Sequence, residues 1–76
     1  MNKQRRKAID TIRARLDDLL AALDDIKDEE MEALENLPEP LQGSKKGEAM
    51  YTAIDNLENA FDNIQDALEY LEEATQ

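Results

Sequence analysis

The chain has 76 residues, lacks Cys and His, and carries a formal net charge of −10 from 19 acidic and nine basic residues. This composition excludes disulfides, the usual zinc ligand sets and catalysis by His or Cys. A chain this short buries little apolar surface, so oligomerisation is the remaining common route to stability.

The charge is unevenly distributed. Residues 1–15 contain six basic residues and one acidic residue, whereas residues 16–76 contain three basic and 18 acidic residues. An acidic body repels nucleic acid and anionic membrane and favours basic partners. No apolar run approaches the ~18 residues of a membrane span. The basic start resembles a transit peptide, but its apolar pattern continues unbroken to Ile26, which favours a structural helix over a cleavable leader.

The first predicted helix runs from about residue 3 to residue 36. Its apolar residues recur three and four apart, which is the spacing of a helical seam. Leu20 and Leu34 widen this stripe on one side, and Glu30 interrupts it. We interpret Glu30 as a carboxylate that reaches out to solvent rather than as a functional buried acid. The seam consists of Ile9, Ile12, Leu16, Leu19, Leu23 and Ile26.

Residues 37–44 form the predicted loop. Pro38 ends the first helix because it disfavours helical geometry at Leu37, and Pro40 stiffens the segment that follows. Ser44 is a suitable N-cap for a second helix. Because the loop is short, the two helices are expected to be antiparallel neighbours.

The second predicted helix runs from about residue 45 to residue 75. Its seam is flanked by an alanine row that recurs every seven residues. A turn centred near residues 43 and 44 makes Leu71 face Leu16 and Ile64 face Leu23. The end of the second helix then reaches only to about residue 11, so the first ten residues project beyond the hairpin. The seam residues are Met50, Ile54, Leu57, Phe61, Ile64, Leu68 and Leu71, and the alanine row is Ala53, Ala60 and Ala67, continuing to Ala74.

These elements predict an all-α fold with one domain over residues 1–76, an antiparallel hairpin of two long helices. Each apolar stripe is wider than the partner helix can cover, and alanine lets a neighbouring helix approach closely. The simplest way to cover both stripes is a homodimer in which two hairpins form a four-helix bundle.

The turn carries a resemblance. The segment Asn36–Glu39, together with Leu41, Gln42, Ser44 and Gly47–Met50 and the alanine heptads that follow, resembles small helical-hairpin proteins encoded by phages and prophages. The resemblance covers most of the chain, with Pro40 and the two lysines before Gly47 as departures. It implies a phage origin, a cytoplasmic location in a bacterial host and no particular chemistry. Small phage proteins without enzymatic residues are often binders that interfere with host machinery.

The residues themselves predict no enzyme, metal site or cofactor. Ser44 is the sole serine, and no base is placed to activate it. The acids of the second helix instead predict a nucleic-acid mimic that binds a basic surface on a host protein and counters host defence. This acidic partner face consists of Asp55, Asp62 and Glu69, together with Glu58, Asp66, Glu72 and Glu73.

Two alternatives remain open from the sequence. One is an oligomeric sponge for a nucleotide signal, because a helix N-terminus attracts phosphate. Its residues are Ser44, Lys45, Lys46 and Gly47, with Tyr51 able to stack on a base. The other is a purely structural oligomerisation module. Direct binding of nucleic acid through the basic start is disfavoured by the acidic body.

Overall fold

The computed structural model describes residues 1–76 as a helical hairpin, which confirms the all-α prediction. The long helices are α1 (Lys3–Glu35) and α3 (Lys45–Ala74), with the single-turn helix α2 (Glu39–Gln42) between them. The molecule is a rod with extents of 58 × 15 × 12 Å. Among the predicted secondary-structure elements the loop needs correction, since residues 39–42 are helical. Pro40 lies in the first turn of α2, where its missing N–H leaves no hydrogen bond unmade.

Both long helices begin at polar caps. The Asn2 side chain accepts a hydrogen bond of 2.8 Å from the backbone N–H of Arg5, and the Ser44 hydroxyl accepts one from the N–H of Gly47. Such caps satisfy backbone donors that have no partner within the helix. At the turn, the Gln42 amide donates to the carbonyl of Leu37 at 3.1 Å, which ties α2 back to the end of α1.

The face of α1 that packs against α3 differs from the predicted seam. Leu20 and Leu34 are buried, with 7% and 8% of their surface exposed, whereas Ile12, Leu19 and Ile26 are 49%, 60% and 52% exposed. Of the predicted oligomer/core seam, Ile12, Leu19 and Ile26 therefore lie outside the contact between α1 and α3. The buried and half-buried residues of α1 and of the segment just after it form a pattern again spaced three and four apart, with Asp24 the one addition to it: Ile9, Arg13, Leu16, Leu20, Leu23, Lys27, Glu30, Leu34 and Leu37.

The reason is the width of the apolar stripe. Ile9, Leu16 and Leu23 belong equally to a seam that includes Leu19 and to one that includes Leu20. A single partner helix covers two of the three rows, and burial of Leu34 in preference to Ala33 near the turn removes more apolar surface from water. Ile54 of α3 is also buried; the rest of the α3 seam is half-buried, namely Met50, Leu57, Phe61, Ile64, Leu68 and Leu71.

The core of the hairpin is thin. Four of the 76 residues are buried, and no side chain is completely enclosed. A domain of this size already has a small stability margin, so further burial of the exposed apolar rows would stabilise it.

Candidate functional site

One cavity lies near the turn, between the two long helices. It has a volume of about 380 Å³, within the range of small ligand or side-chain pockets. Its walls are mainly apolar, and two polar side chains, Glu35 and Gln42, contribute to them. The remaining lining residues are Met31, Leu34, Tyr51 and Ile54.

The cavity shows which residue rows share a side of the rod. Residues seven apart lie along one line of a helix, so Met31 continues a row of α1 and Tyr51 continues a row of α3. Because Met31 and Tyr51 line the same cavity, these two rows flank the contact face on one side of the hairpin. We call this side the acidic flank; its rows are Asp10, Asp17, Asp24 and Met31 in α1, and Tyr51, Glu58, Gln65 and Glu72 in α3.

The surroundings of Lys27 agree with the placement of Asp24 and Glu58 on the acidic flank. Its ammonium lies 3.2 Å from the Asp24 carboxylate. The pKa of Lys27 is raised above its ordinary value by the hydrogen bond to Asp24, and the charges of Asp24, Asp28 and Glu58 add to the shift. The contribution of Glu58 to this shift agrees with the row of α3 that the cavity places on the same side of the rod as Asp24.

The predicted acidic partner face is exposed along its full length. Glu58 and Glu72 belong to the acidic flank itself. Asp55, Asp62 and Glu69 form the next row around α3, since each follows a seam residue. Asp66 and Glu73 lie further toward the outer surface of α3. Five of the seven carboxylates thus lie on or beside the acidic flank, and the other two lie on the outer surface of α3.

The opposite side of the rod is apolar. Each helix has a contact face with two edges, one on the cavity side and one on the opposite side. The row of Ile12, Leu19 and Ile26 in α1 and the alanine row in α3 lie on the edges opposite the cavity. Ala53 and Ala60 are half-buried there, whereas Ala67 and Ala74 are exposed. Neither row contains a carboxylate. We call this side the apolar flank, defined by Ile12, Leu19, Ile26 and Ala33 of α1 and Ala53, Ala60, Ala67 and Ala74 of α3.

The sequence pattern assigns Ile12, Leu19 and Ile26 to one oligomer/core seam together with the residues that contact α3, and it does not separate them as a surface of their own. The available signal was the third apolar row of α1, because Leu20 and Leu34 fill a seam without them. Two rows can face α3, so the third row has to face elsewhere.

The candidate phosphate site has a structural role. The Ser44 hydroxyl donates to the Leu41 carbonyl and accepts from the N–H of Gly47 at 3.4 Å. Gly47 is buried, and a Cβ placed on it would lie 2.0 Å from the carbonyl oxygen of Gln42. Lys45 and Lys46 are exposed. Tyr51 lines the cavity, but none of the other four predicted phosphate-site residues does, so the structure does not gather the set around one ligand space.

Two further observations concern other classes of function. No helix combines the length and apolar character needed to cross a membrane. No three Asp or Glu side chains come together in a group suited to hold a metal ion. Comparison with known proteins found no matching family model, no similar curated protein and no similar solved structure.

Proposed function

We propose that the protein is a non-enzymatic binding protein that pairs with itself through the apolar flank and engages a basic surface of a host macromolecule through the acidic flank. The observation that carries the proposal is the separation of the two surfaces. Each helix has a row with carboxylates on the cavity side of the rod, while the opposite side has two rows without any. Two hairpins joined into a four-helix bundle would cover the apolar flanks and leave both acidic flanks in solvent.

The charge density of α3 suits mimicry of a nucleic acid. Seven exposed carboxylates lie between Asp55 and Glu73. At about 1.5 Å per residue this is roughly one charge per 4.5 Å, close to the ~3.4 Å per phosphate along one DNA strand. A basic groove that binds nucleic acid would therefore meet a similar linear charge density. Long-range attraction would speed the encounter, and complementary charges would favour such a partner over others.

The cavity gives the acidic flank an anchoring point. Met31 and Tyr51 are both partly exposed at its mouth, at 38% and 53%, and Glu35 is part of its wall. An apolar pocket edged by a carboxylate suits the aliphatic stem of a lysine or arginine, with the Tyr51 ring able to receive the cation. Anchored side chains of this kind usually contribute more to affinity than the surrounding charged rim.

The setting of this activity is also part of the proposal. The turn from Asn36 to Met50 resembles phage-encoded proteins, which supports a role in the cytoplasm of a bacterial host against a host protein. A compact acidic rod without catalytic residues fits a stoichiometric inhibitor that competes with nucleic acid for a binding groove.

Neutralising one acidic row tests the binding role. We expect Asp55→Asn, Asp62→Asn and Glu69→Gln together to preserve helicity, because all three side chains are exposed. The variant should capture markedly less basic nucleic-acid-binding protein from bacterial lysate. Raised salt should reduce capture by the parent protein in the same way, because exposed charges are screened beyond about 8 Å at physiological ionic strength.

The matched control changes charge equally on the outer row of α1. Asp18→Asn, Asp25→Asn and Glu32→Gln also remove three exposed carboxylates. Near-parental capture by this control, with loss in the α3 variant, supports the acidic partner face. Equal capture by all three proteins would contradict it, and equal loss in both variants would show that net charge alone is responsible.

A further inference from the structure

We infer that two copies of the chain pack side by side with their turns at the same end, so that Ile12, Leu19 and Ile26 of each copy lie on the alanine row of the other. This arrangement rests on the proposed self-association and specifies its geometry. The two-fold axis then runs along the rod, and each α1 contacts the α3 of the second copy.

The first observation is the exposure of large apolar side chains on one line. Ile12, Leu19 and Ile26 lie seven residues apart, and about half or more of each is accessible to solvent. Single exposed apolar residues are ordinary, but a line of them beside a line of alanines is a contiguous apolar surface. It extends along most of α1 in a chain with a net charge of −10, where an uncovered surface of this kind is unexpected.

The second observation is that the two rows of the flank are level with each other. Met31 and Leu34 of α1 line one cavity with Tyr51 and Ile54 of α3, which sets the register between the helices. This register places Ile26 at about the height of Ala60. Because antiparallel helices advance equally in opposite directions, each further heptad preserves the match. The level pairs are therefore Ile26 with Ala60, Leu19 with Ala67, and Ile12 with Ala74.

Rotation about the rod axis turns these level pairs into contacts. It keeps every residue at its own height and places α1 of one copy over α3 of the other. Leu19 then meets Ala67 of the second copy, and Ala67 meets Leu19 of the second copy. Large side chains facing small ones fill the space between helices evenly, and neighbouring helices are antiparallel throughout.

The alternative two-fold axis crosses the rod and gives a poorer fit. It stacks α1 on α1 and α3 on α3, so large residues meet large residues and alanine meets alanine. The distance between helix axes depends on the side chains at the contact. One helix pair would then be held apart while the other would need to approach closely, and both cannot be satisfied by two straight, rigid hairpins.

The charge of the flank also suits a second copy. The two facing rows bring no carboxylates together, although the chain as a whole is strongly acidic. Self-association through any acidic surface would be opposed by like charges.

Sedimentation equilibrium tests whether this flank is the interface. We expect the parent chain to be a dimer and Leu19→Glu to weaken association roughly 100-fold or more, because two leucines per dimer lose their burial. Ala21→Glu makes the same change of charge at an exposed position away from the flank and should remain dimeric. A parent chain that stays monomeric at high concentration, or a Leu19→Glu variant as dimeric as the parent, would overturn the inference.

A size exchange tests the pairing itself. Leu19→Ala and Ala67→Leu should each weaken the dimer, whereas the double variant should recover most of the affinity because every contact again joins one leucine and one alanine. Recovery also shows that the single variants still fold. Additive loss in the double variant would contradict contact between these positions.

Cysteine cross-linking distinguishes the two axes, since the chain has no cysteine of its own. A mixture of Leu19→Cys and Ala67→Cys chains should form a mixed disulfide dimer, while Leu19→Cys alone should not cross-link. Disulfides need Cα atoms within about 7 Å. A self-linked Leu19→Cys dimer would overturn the proposed axis while leaving the four-helix bundle intact. Binding of a basic partner is judged separately, by the charge-neutralised variants.

Discussion

Leu20→Ala is expected to lower the free energy of unfolding by about 2–4 kcal/mol, whereas the same change at the adjacent Leu19 leaves the isolated hairpin almost unaffected. Leu20 has 7% of its surface exposed and Leu19 has 60%. Truncating Leu20 leaves a cavity between α1 and α3 that the rod closes only in part. Truncating Leu19 removes a side chain that contacts little within one chain.

Protein concentration separates the two effects in a denaturant titration. The loss for Leu20→Ala should persist at every concentration, because the missing contacts lie inside one hairpin. The loss for Leu19→Ala should shrink on dilution, since it arises from the linkage between folding and association. Equal, concentration-independent losses for both variants would mean that the Leu19 row faces α3 after all.

The helices and their turn could be predicted because local signals agreed. Pro38 and Ser44 mark the end of one helix and the start of the next, and the structure ends α1 at Glu35 and begins α3 at Lys45. The one-turn helix α2 was missed since Pro40 reads as a helix breaker, although proline is well tolerated in a first turn. Long periodic segments with clear caps thus give reliable elements.

Choosing which apolar rows meet inside the hairpin was beyond the sequence. Three rows of α1 carry large apolar residues, although the row of Leu20 and Leu34 also contains Arg13 and Lys27, and either pair of adjacent rows makes a regular three-and-four pattern. Only packing against α3 separates them, through the burial of Leu20 and Leu34. The row left outside this contact is the one that we propose a second copy covers.

The exposure of the acidic residues of α3 could be predicted from the sequence, but the acidic residues of α1 that lie on the same side of the rod could not. Asp55 and Glu58 are exposed acids in both accounts. That Glu58 shares a flank with Asp24 follows from the direction in which the chain turns at the loop, and the cavity between Met31 and Tyr51 reveals it. The handedness of a hairpin depends on the conformation of its turn, which periodicity does not encode.

The turn conformation depends on a close approach at Gly47. A Cβ at this position would lie 2.0 Å from the Gln42 oxygen, 2.6 Å from its carbonyl carbon and 2.9 Å from its Cα. These are backbone atoms, so they cannot rotate away as a flexible side chain would. Gln42 in turn bonds to the Leu37 carbonyl and lines the cavity of the acidic flank. Any residue larger than glycine must therefore displace α2 from the start of α3.

Gly47→Ala is accordingly expected to destabilise the hairpin by about 1–3 kcal/mol, the usual cost of overpacking. In an unobstructed helix the same change would stabilise by about 1 kcal/mol, so the sign of the effect is itself diagnostic. Gly43→Ala is the matched control, because its Cβ would meet nothing within 4 Å and its φ of −87° suits alanine. Gly43→Ala should raise the free energy of unfolding by about 0.4–1 kcal/mol, because alanine leaves the unfolded chain fewer conformations than glycine does.

Thermal and denaturant unfolding of the two variants provide the measurement, with Tyr51 fluorescence as a local probe of the cavity in chains whose other tyrosine is removed by Tyr70→Phe. Displacement of Gln42 in Gly47→Ala should alter the surroundings of Tyr51, because both residues line that cavity. Binding of a basic partner should then weaken with the acidic rows of α3 unchanged. A stabilised Gly47→Ala variant with parental fluorescence would show that α2 does not rest on Gly47, and the turn would no longer account for the register that brings the two acidic rows together.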